Sequence, residues 1–224
     1  MHFNRPDTQN ALKPRTLLLA DPEYGAVGDW LLRWEDEREN AAAISLGRTD
    51  PPNRNAWITT LGAAIAQSDR PVILVARGLA CLAVAWWAAL ERPLYADPVA
   101  GALLVAPPNV DTANSDLRML GFGPAPKVLL PFPSVVVASR NDPRMDFAAA
   151  CLLSSFWGSQ CIDGGHIGSA EAAADLGAWS HGQHALNWLE SNADGFHRAT
   201  VAPVQVDNIL PMPGQPRQGY DLSL

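Results

Sequence analysis

Three short stretches of this chain carry residue types suited to acid–base or nucleophilic chemistry: "VARGLA" at 75–80, "ASRNDP" at 138–143 and "DGGHIG" at 163–168. An acid that precedes a histidine in the chain can orient it. Asp142 is expected to hold the imidazole of His166, which then acts as a base toward a nucleophile at a sharp strand-to-helix turn. A turn of that kind is expected within "VILVARGLACLAVAWWAAL", residues 72–90, which reads as a buried strand, a bend and an amphipathic helix. At the bend stand Ala76, Arg77, Gly78, Leu79 and Ala80, and none of them is Ser, Cys, Thr or Asp.

The elements that must position these residues follow from the alternation of short aliphatic runs with helical patterns. Strands are expected at Thr16–Ala20, Ala43–Leu46, Val72–Val75, Ala100–Val105, Ser134–Ala138 and Gln160–Ile162. Helices are expected at Gly28–Glu39, Asn55–Gln67, Leu79–Leu90, Met145–Trp157 and Gly182–Glu190. Strands apolar on both faces, each followed by a helix, imply an α/β protein with a mainly parallel sheet of about six strands and helices on both faces. Ligands in such folds gather beyond the carboxyl ends of the strands. The loops that begin at Asp21, Ala76, Ala106, Ser139 and Asp163 are therefore where a site is expected.

Beyond the acid, base and turn, "GDWLLRWE" after the first strand, "VVVASRNDP" before the acid and "GGHIGSAEAAADLGAWSHG" around the histidine appear in a fixed order. The combination, spanning about Arg15 to Glu190, resembles the small serine hydrolases of the retinoblastoma-binding-protein type, also called YdeN-like α/β-hydrolases. The resemblance implies a three-layer α/β-hydrolase fold. Carried over by position, the family's acid falls on Asp142, its base on His166 and its nucleophile on Gly78. The elbow glycines fall on Ala76 and Ala80, and the histidine before the nucleophile falls on Arg77. The family's His-Trp pair becomes Asp29 and Trp30, and its Gly-rich oxyanion loop becomes "ADPEYGAVG". The departures cluster at the active site and spare the scaffold.

On this reading the protein is a pseudo-hydrolase that acts by ligand or protein binding. A nucleophile elbow holds its central residue at positive φ, which glycine adopts without strain; Gly78 keeps the bend and removes the attacking oxygen. The Leu79 N–H is the expected oxyanion donor. Arg77, Gly78 and Tyr24 are the expected ligand-binding residues. For Arg77, beside a helix N-terminus, a carboxylate or phosphate ligand stands against an ion pair with Asp142, Asp29 or Glu23 that plugs the pocket. The alternative function is hydrolysis of small esters or amides by an unconventional nucleophile or a His166-activated water. Cys81 suits the chemistry of a replacement nucleophile, but its place in the helix points it away from the mouth. Read alone, Asp142 is equally a turn or cap residue and His166 a loop histidine between glycines.

Length and composition set outer limits. A chain of 224 residues, 48 % hydrophobic and 17 % charged, suits one globular core. It divides into an N-terminal extension (1–14), the α/β-hydrolase-like domain (15–190) and a Pro-rich C-terminal extension (191–224) able to mediate association. A net charge of −7 argues against nucleic-acid binding. No apolar run is long enough to span a bilayer, and the polar start lacks a secretory signal, so cytoplasmic residence is expected. Cys81, Cys151 and Cys161 are expected as core thiols, and no metal site or cofactor is expected.

Overall fold

The computed structural model describes residues 13–20, 29–91, 98–112, 116–170 and 176–199. Its strands are β1 (Arg15–Ala20), β2 (Ala41–Ser45), β3 (Val72–Arg77), β4 (Val99–Val105), β5 (Ser134–Ala138) and β6 (Gln160–Asp163). Its α-helices are α1 (Trp30–Glu37), α2 (Arg54–Ala66), α3 (Leu79–Glu91), α4 (Phe147–Trp157) and α5 (Ser180–Ala199). The strands form one sheet in the order β2-β1-β3-β4-β5-β6, and every pairing is parallel. Parallel neighbours require crossover connections. A helix provides each crossover except that between β4 and β5, where a 3₁₀ segment at Leu117–Phe122 lies instead.

Side chains alternate across the sheet and divide the core into two layers. Leu17, Leu19, Val72, Leu74 and Ala76 pack with α2, α3 and α4. Leu18, Ile73 and Val75 face the other way, against Trp30, Leu31 and Trp34 of α1 and Leu186 and Leu189 of α5. On this second face Trp30 and Trp34 cluster with Trp179, and the Trp30 indole N–H donates to the Ala170 carbonyl at 2.9 Å. The loop that carries the histidine is thereby held against α1.

Capping sets the helix starts. The expected start of α1 at Gly28 moves to Trp30 because Asp29 is its N-cap and accepts the Leu31 N–H. Asp146 likewise accepts from Ala148 and Ala149, so α4 begins at Phe147 rather than Met145. Asn53 caps α2 through the Ala56 N–H. The final helix starts earlier than expected, at Ser180, and runs past Glu190 to Ala199. Trp188 on this helix is exposed.

The expectation of three core thiols is corrected. Cys151 on α4 and Cys161 on β6 form a disulfide, their Cα atoms 5.5 Å apart, within the range a disulfide requires. Cys81 is not part of a disulfide and is buried. Residues 1–12 and 200–224, most of the two expected extensions, lie outside the described residues. No described helix is long and apolar enough to cross a membrane.

Candidate active-site cavity at the β3–α3 turn

β3 ends at Arg77, α3 begins at Leu79, and the chain reverses at Gly78 with φ +52°. Two backbone hydrogen bonds fix the bend: the Gly78 N–H donates to the Val105 carbonyl at 2.8 Å, and its own carbonyl accepts the Cys81 N–H at 3.1 Å. Among the described residues, a Cβ at this position would meet one atom within 4 Å, Nη2 of Arg144 at 3.8 Å. Over the bend opens a cavity of about 270 Å³ whose wall includes Gly78, Leu79, Trp57, Met119, Arg144 and Ser169. Met119 comes from the 3₁₀ segment, so the long β4–β5 connection helps enclose the cavity.

Arg77 shares its strand face with Ile73 and Val75, the face covered by α1. Its guanidinium meets Asp29 in a two-point contact, Nη1 to Oδ1 at 2.7 Å and Nη2 to Oδ2 at 3.4 Å. The side chains are 1 % and 0 % exposed. Of the acids considered as partners for Arg77, Glu23 lies outside the described residues, whereas Asp29 forms an ion pair with it. That carboxylate also caps α1, where the positive end of the helix dipole favours it.

Asp142 has a side chain only 1 % exposed. Its Oδ1 accepts the Ser169 hydroxyl at 2.6 Å and the Arg144 N–H at 2.9 Å. The second bond closes the Asx turn that the sequence pattern allowed. Its Oδ2 is buried without a hydrogen-bond partner. His166 stands exposed at a bend between Gly165 and Gly168, both at positive φ. Asp142 and His166 are thus brought to adjoining loops, with no hydrogen bond between them. The loops are laced by other contacts: the Asn141 side-chain oxygen accepts the Gly168 N–H at 2.8 Å, and Arg144 Nε donates to Ser169 Oγ at 3.0 Å. Gly164 permits the close approach, because a Cβ there would lie 2.8 Å from Val137 and 2.9 Å from Ile167.

Arg140 closes the same junction by pairing with Asp163 at 2.7 Å. The hydrogen bond from Arg140, helped by the Gly165 N–H, holds the Asp163 carboxyl below its ordinary pKa of 3.8. Cys81 is fully buried, and its Sγ lies 3.5 Å from the Ala76 carbonyl and 3.4 Å from that of Val105, within the fold. Leu79 lines the cavity at the first turn of α3, and Tyr24 lies outside the described residues. Among the described residues no group of three or more His, Cys, Asp or Glu is placed to hold a metal ion.

Arg144, Arg118 and Arg48 line the cavity as well and carry no motif signal in the sequence. Arginine in "NDPRMD" reads as a solvated turn residue; only the fold shows that the turn faces Gly78.

A family model described as serine hydrolase matches residues 23–188. No curated protein matches the chain. Among solved structures, a protein described as a YdeN-like hydrolase from Pectobacterium atrosepticum is 23 % identical with a TM-score of 0.62, covering 83 % of this chain and 92 % of its own. The ydeN gene product of B. subtilis is 17 % identical with a TM-score of 0.61, over 80 % and 99 % of the two chains. Est1E from Butyrivibrio proteoclasticus is 11 % identical with a TM-score of 0.55, over 81 % and 90 %. At these identities the likeness is one of fold, a three-layer α/β-hydrolase fold.

Proposed function

The chain belongs to the serine hydrolase family, and from that premise we propose that it is a member without acyl-enzyme chemistry, acting by binding a ligand in the cavity above Gly78. The observation that carries this reading is the bend itself. Glycine stands at the strand-to-helix turn at positive φ, no described cavity-lining side chain has a nucleophile in the corresponding place, and a guanidinium approaches that position. Loss of a triad serine costs on the order of 10⁶ in turnover. An oxyanion donor such as the Leu79 N–H, together with binding, leaves at most about 10³ to 10⁴ over water. The hydrogen bonds of Asp142 support the same reading, because its Oδ1 serves Ser169 and Arg144 rather than an imidazole.

Short p-nitrophenyl esters test it. Turnover by the native protein is expected to equal that of the His166→Ala variant. Hydrolysis that exceeds background and disappears in His166→Ala would overturn the reading.

One observation favours a second reading, a hydrolase that uses water activated by His166. The Oδ2 atom of Asp142 is buried and lacks a donor, and His166 lies on the adjoining loop, so a loop rearrangement that joins them would restore an orienting pair. Such a water lacks the pre-positioning of a covalent nucleophile. This reading requires His166-dependent turnover with no covalent adduct from a fluorophosphonate probe, whereas an adduct mapped to one residue would identify an unconventional nucleophile.

A further inference from the structure

We infer that the Cys151–Cys161 disulfide is a redox switch: a dithiol reductant opens it in the folded protein, and the loop that carries His166 and Ser169 then loses its order while the centre of the sheet keeps its own. β6 is the last strand of the sheet, paired among the described residues with β5 alone. Its Gln160 and Asp163 are exposed and its Cys161 and Ile162 half-buried, whereas β3 and β4 are buried throughout. Cys151 on α4 is half-buried as well. Disulfides within reach of solvent are more readily reduced than enclosed ones and are the usual regulatory ones. Cys81 differs from both: it is buried at the first turn of α3, outside any disulfide, so the pair can open and close without exchanging with it.

The step is thiol–disulfide exchange. A thiolate of the dithiol attacks one sulfur of the pair, a mixed disulfide forms as the S–S bond breaks, and the departing cysteine thiolate takes up a proton. The reductant's second thiol then loses its proton, attacks the mixed disulfide and releases the other cysteine, which is protonated in turn. Two electrons pass to the cysteines, and the dithiol becomes a disulfide. Opening has a local consequence because of where the bond sits. α4 follows directly on the acid loop and β6 leads directly into the histidine loop, so the bond cross-links the elements next to Arg144 and Ser169, two residues of the cavity wall. After reduction β6 is held by its ladder with β5, by the packing of Cys161 and Ile162 on opposite faces, and by polar contacts. Of these contacts Arg140–Asp163, with side chains 53 % and 42 % exposed, is a surface pair of the kind that adds little. A short edge strand so held opens at low cost. The histidine loop goes with it, since its anchors are the Gly164 N–H on the Ala138 carbonyl and the Gly165 carbonyl on the Arg140 N–H.

The test compares the native protein before and after treatment with dithiothreitol. Alkylation without denaturant, read by peptide mass, is expected to modify Cys151 and Cys161 after the reductant and to leave buried Cys81 unmodified. Amide hydrogen exchange is expected to accelerate at least about tenfold across residues 160–169, with the amides of β1 and β3 unchanged, and oxidised glutathione is expected to restore the slow rates. Cys151→Ser is expected to exchange like the reduced protein and to ignore dithiothreitol. The comparison on the native chain needs no variant and decides the matter if Cys151→Ser fails to fold. Reduction no faster than global unfolding overturns the switch. Exchange accelerated equally in β1 and β3 overturns its local action, and unchanged exchange at 160–169 overturns its hold on the loop. Ester hydrolysis enters none of these measurements, so failure here is separable from failure of the non-catalytic reading.

Discussion

Arg77 and Asp29 meet in a fully buried ion pair that joins the end of β3 to the start of α1. The pair sets a cation at the end of the strand against an anion at the helix N-terminus opposite. Removing one partner leaves the other charged and buried, which typically costs about 3–5 kcal/mol. Arg77→Met is therefore expected to lower the unfolding free energy by that amount. Adding Asp29→Asn, which removes the charge but keeps an oxygen to cap Leu31, is expected to recover most of the loss. Urea denaturation measures both. A single-variant loss below ~1 kcal/mol, as for an exposed pair, would show that the contact is not a structural element.

Placing serine at the bend tests the proposed absence of acyl-enzyme chemistry. Gly78→Ser puts a non-glycine residue at φ +52°, which costs about 1–2 kcal/mol, and among the described residues its Cβ encounters Arg144 alone, at 3.8 Å. The variant is expected to fold and to remain inactive on p-nitrophenyl esters, because Asp142 is engaged by Ser169 and makes no hydrogen bond to His166. A His166-dependent burst of p-nitrophenol from this variant alone would contradict that account.

The acid and histidine loops are joined by a pair with a defined pH response. Arg140 keeps the Asp163 carboxyl ionised below its ordinary pKa of 3.8. Because the folded value lies below the unfolded one, the contribution to stability is complete above the unfolded pKa and is lost as pH falls through the folded one. The difference in stability between native protein and Asp163→Asn is expected to stay constant from neutral pH to about pH 4 and to close on further acidification. Denaturation curves at a series of pH values measure it, and a difference that widens below pH 4 would refute the pairing.

Much of this architecture is written in local pattern. Aliphatic runs that separate Leu17 and Leu19 from Leu18 onto opposite faces can only be strands buried on both sides, and the Gly78 bend is legible because a strand and a helix abut with no room for a loop. The partner of Arg77 was also within reach, since alternation from Ile73 through Val75 points it at the α1 face, where Asp29 lies and Asp142 does not. Arg144 was beyond reach. Its place over Gly78 depends on how two loops distant in sequence fold against each other, and no spacing encodes that. The role of Ser169 on Asp142, where a histidine was expected, is hidden for the same reason.

The disulfide between α4 and β6 is another relationship of that kind, and it leads to a direct test. Cys151 follows the acid loop and Cys161 precedes the histidine loop, so the bond ties together the two elements that carry Asp142 and His166. It closes a loop with a sequence separation of 10, for which chain entropy in the unfolded state corresponds to about 2–3 kcal/mol. Reductant is expected to lower the thermal midpoint of the native protein and to leave that of Cys151→Ser unchanged. Thiol alkylation of the denatured, unreduced protein is expected to modify Cys81 alone, and all three cysteines only after reduction. Three alkylated cysteines without reductant would mean that the pair is not bonded in solution, and the two loops would then be held by Arg140–Asp163, Ser169–Asp142, Arg144–Ser169 and the hydrogen bonds of Gly164 and Gly168.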